Sequence, residues 1–244
     1  MPSGIRTRKP KRWTRSKLTR QRRARPVSRL LRLFKSSLDE RIIDDDSTSY
    51  GVGQSGTVDI GILPVPTRGD LVNNRSGNKI TITKMRMAIT VQGTESTVGL
   101  SDIFNRFSII IGYLKSNNGS ATPPTITGNT GFFDTSNFTF PTAVYAPIGD
   151  DLKKDIVVLK KYKGMVAGLD YNTTVSNLAF VKDHIWTAIF THTFKIPLEI
   201  NFKTTDTDAQ ASFMSALPFI AILTDSLTTP HPSIQYQTRW NYLA

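Results

Sequence analysis

Thirteen residues in the last quarter of the chain, "FTHTFKIPLEINF", alternate without interruption. Phe190, His192, Phe194, Ile196, Leu198, Ile200 and Phe202 hold one parity; Thr, Thr, Lys, Pro, Glu and Asn hold the other. A helix repeats its apolar stripe every three to four residues, so a period of two over this length dictates a strand with one covered face. Pro197 has no N–H to give a ladder, which predicts a sheet edge or a break between two strands. The same period recurs elsewhere. Val58, Ile60 and Ile62 alternate before Pro64. In residues 78–92, Ile80 and Ile82 share one face, while Met85, Met87, Ile89 and Val91 take the other parity. A slip of phase at Thr83–Lys84 predicts a bulge. Phe107, Ile109, Ile111 and Tyr113 alternate, as do Ile234, Tyr236, Trp240 and Tyr242, and a further strand is expected from Asp155. "ALPFIAILT" is apolar on both parities, as for a strand covered on both faces.

These runs predict about eight strands and no long helix between them. Without interleaved helices a parallel α/β sheet is disfavoured. The fold class expected is all-β: a single eight-stranded antiparallel jelly roll, a β-sandwich, over residues 57–244. Residues 36–56 are expected to be a linker, with "GVGQSG" (Gly51–Gly56) as a flexible hinge. Asp44, Asp45 and Asp46 read as part of that solvated linker, with a divalent-cation site as the sharper alternative. The long loop at 116–151 is expected on the outside or at subunit contacts.

Charge divides the chain more sharply than its overall +12 implies. Residues 1–35 hold ten Arg, four Lys and no acidic residue. Subtracting these from 31 basic residues leaves 17 against 19 acidic ones in residues 36–244, a net of −2. An acid-free basic block repels itself and lacks apolar surface, so a disordered arm is expected until it meets a polyanion. Arg6, Arg8, Lys9, Lys11, Arg12, Arg15, Lys17, Arg20, Arg22, Arg23, Arg25, Arg29 and Arg32 are the expected phosphate ligands. Guanidinium forks match phosphate oxygens bidentately, and counterion release supplies affinity without reading sequence. Trp13, set among these charges, is positioned by sequence to stack on an unpaired base. The same run reads as a nuclear localisation signal or as a solvated tail. From Ser28, "SRLLRLFKSSL" has the spacing of a short helix that docks on the body or lies on a membrane surface, docking being the stronger reading.

Catalytic and metal chemistry are not legible. There is no Cys, and no HExxH, GxSxG, Walker or GxGxxG pattern. His184, His192 and His231 lack ligand spacing, and His192 is expected to be a hydrogen-bonded core residue. No catalytic residue, metal ligand or cofactor is expected, and an enzyme is disfavoured. Asn74, Asn118, Asn137 and Asn172 match N-x-[ST], without an apolar leader to support their use. An Arg-rich transit peptide is a minor alternative for the N-terminus. The longest clean apolar run, Leu217–Leu223, is far short of the ~20 residues of a membrane helix, so no membrane partner is expected.

A basic arm ahead of one all-β domain of this size resembles the layout of small icosahedral virus capsid proteins. Four segments resemble the circovirus-like group, the small circular single-stranded DNA viruses that encode a replication initiator. They are "NRSGNKITITKMRMAITVQ" (74–92), "NRFSIIIGYLKSNNGSATPP" (105–124), "DIVVLKKYKG" (155–164) and "FTHTFKIPLEINF" (190–202). The resemblance implies a jelly-roll subunit, assembly into a closed T=1 shell, and packaging of single-stranded DNA. It also implies entry into the host nucleus through import receptors, with the virion as destination. Coat proteins of small single-stranded RNA satellites share the arm and the fold, so RNA stays open as the partner. A cellular nucleic-acid-binding β-domain with a basic tail is the alternative. If about 60 copies assemble, the arms bring on the order of 840 positive charges to the genome.

Overall fold

The computed structural model describes residues 40–54, 56–69, 74–96, 104–116, 132–134, 143–150, 152–170, 185–203, 213–227 and 229–244. The described residues form eleven strands: β1 (Glu40–Asp46), β2 (Tyr50–Gly51), β3 (Thr57–Asp59), β4 (Lys79–Gln92), β5 (Glu95–Ser96), β6 (Phe104–Ser116), β7 (Ile156–Ala167), β8 (Leu169–Asp170), β9 (Ile185–Asn201), β10 (Ser215–Thr224) and β11 (Ser233–Leu243). The count exceeds the expected eight because four of these are only two or three residues long.

Two antiparallel sheets carry the fold. The first has the order β1-β11-β4-β9, with β2 also on β11; the second has the order β3-β10-β6-β7. A separate parallel pair joins β5 and β8. The inner faces meet in one core. Ile80, Met85, Met87 and Ile89 of β4 and Tyr236, Trp240 and Tyr242 of β11 come from one side. Phe107, Ile109 and Ile111 of β6 and Ile220 and Ile222 of β10 come from the other. Burial of each such side chain contributes about 1.5–3 kcal/mol before ordering entropy is subtracted.

The alternation in β9 is realised with an interruption. Ile82 pairs with Leu198, and Lys84 pairs with Thr193, so residues 194–197 bulge against Thr83 alone. The bulge accounts for the phase slip in β4, and it holds Pro197 out of the ladder on a strand that is indeed an edge. Ile196 sits in the bulge and is 84% exposed despite its apolar parity.

Three expectations are corrected. Within the 36–56 linker, residues 40–46 are a paired strand whose residues face alternately out and in. Three adjacent Asp hide that pattern, because only Ile42 and Ile43 signal apolar surface. The glycine-rich segment is pinned and is not a hinge. Val52 N donates to Pro232 O at 3.0 Å, and Gln54 N donates to Ser226 O at 3.1 Å. Gly56 has φ +72°, and a Cβ there would lie 2.9 Å from Ile222 O. The described parts of the 116–151 loop contribute to the core of the subunit. Phe132, Phe133, Val144 and Ala146 are buried, and Phe132 packs edge-on to Phe219 at 5.2 Å. They cover the outer side of β6 and β10, which is why "ALPFIAILT" is apolar on both parities. The run from Thr57 stops being a strand at Asp59; Ile62 turns inward, and its carbonyl accepts from Trp240 Nε1 and Thr238 Oγ1, both at 2.9 Å.

Candidate nucleic-acid interface and the charged faces of the body

All fourteen residues expected to bind nucleic acid, Arg6 through Arg32 with Trp13, lie outside the described residues, as do the short helix from Ser28, His184 and the sequons at Asn118, Asn137 and Asn172. The body itself presents three charged or polar regions that the alternation of its strands positions.

The outer face of the first sheet sets Arg239 of β11 between Asp44 of β1 and Arg86 of β4, which pair with it at Cα level. Arg239 grips Asp44 through both carboxylate oxygens, Nε to Oδ1 at 2.7 Å and Nη2 to Oδ2 at 2.8 Å. This hydrogen-bonded guanidinium holds the Asp44 carboxyl below its ordinary value. A shallow depression of about 350 Å³ opens beside the pair, with Asp46, Arg86 and Gln237 on its walls. Its charges are mixed, so it offers no concentrated cationic field for phosphate.

On the second sheet, edge strand β7 carries Lys160, Lys161 and Lys163 and no acidic residue. Lys163 lies 4.6 Å from the Tyr145 ring and Lys160 lies 5.5 Å from that of Tyr162. Burial, and then the charge of Lys163, push the Lys161 ammonium below its ordinary value. Nothing in the apolar reading of "DIVVLKKYKG" marked these lysines as a cluster; the signal was three cations without an intervening acid.

Between the sheets, below β1 and β3, Asp45, Tyr50, Asp59 and Tyr236 form a polar group. Tyr236 OH donates to Asp59 Oδ2, and Gly61 N donates to Asp59 Oδ1 at 2.8 Å. Burial first, and then the nearby Asp59 charge, push both tyrosine hydroxyls far above their ordinary value. Asp45 is raised by burial and by the charges of Asp46 and Asp59, against a backbone hydrogen bond from Asp46 that lowers it. Both tyrosines stay protonated; Tyr236 donates to Asp59, and the buried Tyr50 hydroxyl makes no hydrogen bond among the described residues. Among the described residues no group of three or more His, Cys, Asp or Glu is placed to hold a metal ion.

The two described histidines, His192 and His231, are packing residues in this geometry. His192 lies between Phe194, with ring centroids 4.5 Å apart, and Phe190, at 6.0 Å. Its contacts are aromatic where a hydrogen-bonded one was expected, and burial lowers its pKa. Sequence reasoning missed a Ser–His contact: Ser226 Oγ lies 3.0 Å from His231 Nδ1. Ser226 is only 1% exposed, so a substrate has no approach to it. The pair instead closes the turn against Gly53, where a Cβ would stand 3.0 Å from the His231 ring.

A comparison with protein-family models finds no match to this chain, and a comparison with curated proteins finds none either.

Proposed function

We infer that this chain is the capsid protein of a small circular single-stranded DNA virus. Its body is a jelly-roll shell domain, about 60 copies close an icosahedral T=1 shell, and the Arg-rich arm gathers the genome inside. The carrying observation is the pairing order. With β1 and β2 counted as one broken strand along β11, and the small β5–β8 pair set aside, eight strands remain. The first of these pairs with the last, the second with the seventh, the third with the sixth and the fourth with the fifth. That nesting is what two Greek keys in a double-sheet jelly roll produce, an architecture used by viral shell domains among others.

The arm supports the same reading. Its positive charge stops where the body begins, and the body as a whole is nearly neutral. A subunit that packs against copies of itself needs such a body, and its cargo needs such an arm. In this reading the chain is not an enzyme, needs no cofactor, enters the host nucleus through the arm and ends in the virion.

The test is expression of the full chain, size exclusion and negative-stain electron microscopy, with the absorbance ratio of the same peak. Uniform spherical particles that protect DNA from nuclease are expected. Particles that protect only RNA would move the assignment to a satellite-type coat protein. A monomer that binds nucleic acid through its arm would overturn the shell reading in favour of a tailed cellular binding module.

A further inference from the structure

We propose that the two long sides of the sandwich are complementary halves of one head-to-tail contact, in which the acidic β1 edge of one copy docks beside the lysine-bearing β7 edge of the next. The proposal rests on the shell-subunit reading above and names the surfaces that such subunits use.

The sheet orders place these strands at opposite sides of the body. β1 ends the first sheet on the side of β3, where Asp45 and Asp59 lie near each other. β7 ends the second sheet on the side of β9, where Tyr162 and Trp186 meet at 5.8 Å. β1 carries four carboxylates and one Arg, a net of −3; β7 carries three Lys and no acid, a net of +3. Two edge strands of a nearly neutral body therefore carry equal and opposite net charge.

Each strand is also an edge among the described residues, presenting a row of backbone N–H and C=O groups that an adjacent strand can take up. Each exposes apolar surface beside its charges: Ile42 on β1, and Val158 and Met165 flanking the lysines of β7. In the single subunit like charges crowd on both sides. Burial first, and then Asp46 and Asp59, raise Asp45; burial first, and then Lys163, lowers Lys161. Opposite charge from a neighbour relieves both.

The sign pattern also fixes the symmetry. A two-fold contact through either edge alone would set carboxylate on carboxylate or lysine on lysine. Only a heterologous contact joins unlike edges, and a heterologous contact closes into rings when its rotation permits. Asp44 is already shared with Arg239 of its own copy, which leaves as the exposed carboxylates that reach across Asp46 and Glu40, the latter accepting only a hydroxyl hydrogen bond from Thr83 at 2.9 Å.

The experiment compares full-length wild type with three variants: E40K/D46K, K161E/K163E and the four changes together. All four positions are exposed, and circular dichroism verifies folding. Each reversal alone is expected to raise the protein concentration needed for assembly at least tenfold. The combined variant, whose edges are again unlike, is expected to return to within about threefold of wild type. Independently of any variant, carbodiimide coupling of wild-type assemblies, read by peptide mass spectrometry, is expected to join Glu40 or Asp46 to a β7 lysine. Those side chains lie on opposite sides of one body, so such a link reports two copies. Wild type that assembles while the single reversals assemble equally well, or coupling that yields other links but none between β1 and β7, overturns the contact and leaves the shell reading standing. Wild type that stays monomeric overturns both.

Discussion

Arg75 shows what a single side chain contributes when it is buried as a hub. It is 1% exposed; its Nε donates to Pro66 O at 3.0 Å, and its Nη1 donates to Gly77 O at 2.6 Å and Asn78 Oδ1 at 3.3 Å. Its guanidinium also lies 4.9 Å from the centre of the Phe202 ring. These bonds hold the described residues between β3 and β4, whose backbone pairing is limited to an isolated bridge between Arg68 and Arg75. Arg75→Met leaves the buried Pro66 carbonyl and the part-buried Gly77 and Asn78 acceptors without this donor and is expected to cost about 2–4 kcal/mol in denaturant unfolding. Arg75→Lys should rescue little, because a point charge cannot replace a planar fork. Asp45 makes a different residue-scale prediction. Burial, with Asp46 and Asp59, raises its folded pKa above the ordinary 3.8. The native state then takes up this proton at higher pH than the unfolded chain does. Between 3.8 and the raised value, stability falls as pH rises, and the cost is fully present above that window. Asp45→Asn should therefore raise the unfolding midpoint at neutral pH and flatten that part of the stability profile. A variant less stable at pH 7 would show that the charge is compensated.

At the scale of the element, β9 carries both the clearest sequence signal and its main exception. The parity of Phe190, Ile200 and Phe202 correctly names residues that are buried. It cannot reveal the 194–197 bulge, since register is set by the partner strand and Thr83 is on β4. Nor does it show that Trp186, at the start of β9, bridges the sheets by packing on Phe107 at 4.6 Å and on Tyr162. Trp186→Ala is expected to cost about 2–4 kcal/mol, as for the loss of a large aromatic from a packed site. Ile196→Thr should change stability by no more than about 0.5 kcal/mol, since this side chain already faces water. Parallel urea titrations check the contrast; equal losses would mean that the bulge is not where Ile196 escapes the core.

For the whole molecule, the pairing of Glu40 with Leu243 closes nearly all of the described chain. Among the described residues every sheet pairing inside that closure is antiparallel, apart from the small β5–β8 pair and the isolated parallel bridge between Arg68 and Arg75. Removing residues 1–35 takes away no described strand, so the shortened chain should keep its β-sheet circular dichroism. It should also lose binding to single-stranded DNA. The full chain is expected to bind with a steep salt dependence, no steeper than a log–log slope of about −10 for 14 charges. Retention of the original slope by the shortened chain would transfer the binding to the body, with β7 as the first place to look.

Alternation along each strand was enough for the sequence to determine the all-β class, most of the buried parities and the slip near Thr83, and Pro197 narrowed its own segment to a sheet edge or a break between strands. These are local consequences of period two and of proline chemistry. The segregation of charge into an acid-free arm was equally legible, because it needs only counting. Tertiary structure alone decided that Glu40–Asp46 is a strand, since Glu40, Asp44 and Asp46 face outward at an edge, Asp44 onto Arg239, while Asp45 turns inward beside Asp59 and Tyr236. It alone decided that Phe132 and Val144 belong to the core, because that depends on an outer face of β6 and β10 needing cover. It alone set the acidic and lysine-bearing edges on opposite sides. Those edges are more than 100 residues apart in sequence, and their placement follows from which strands end each sheet.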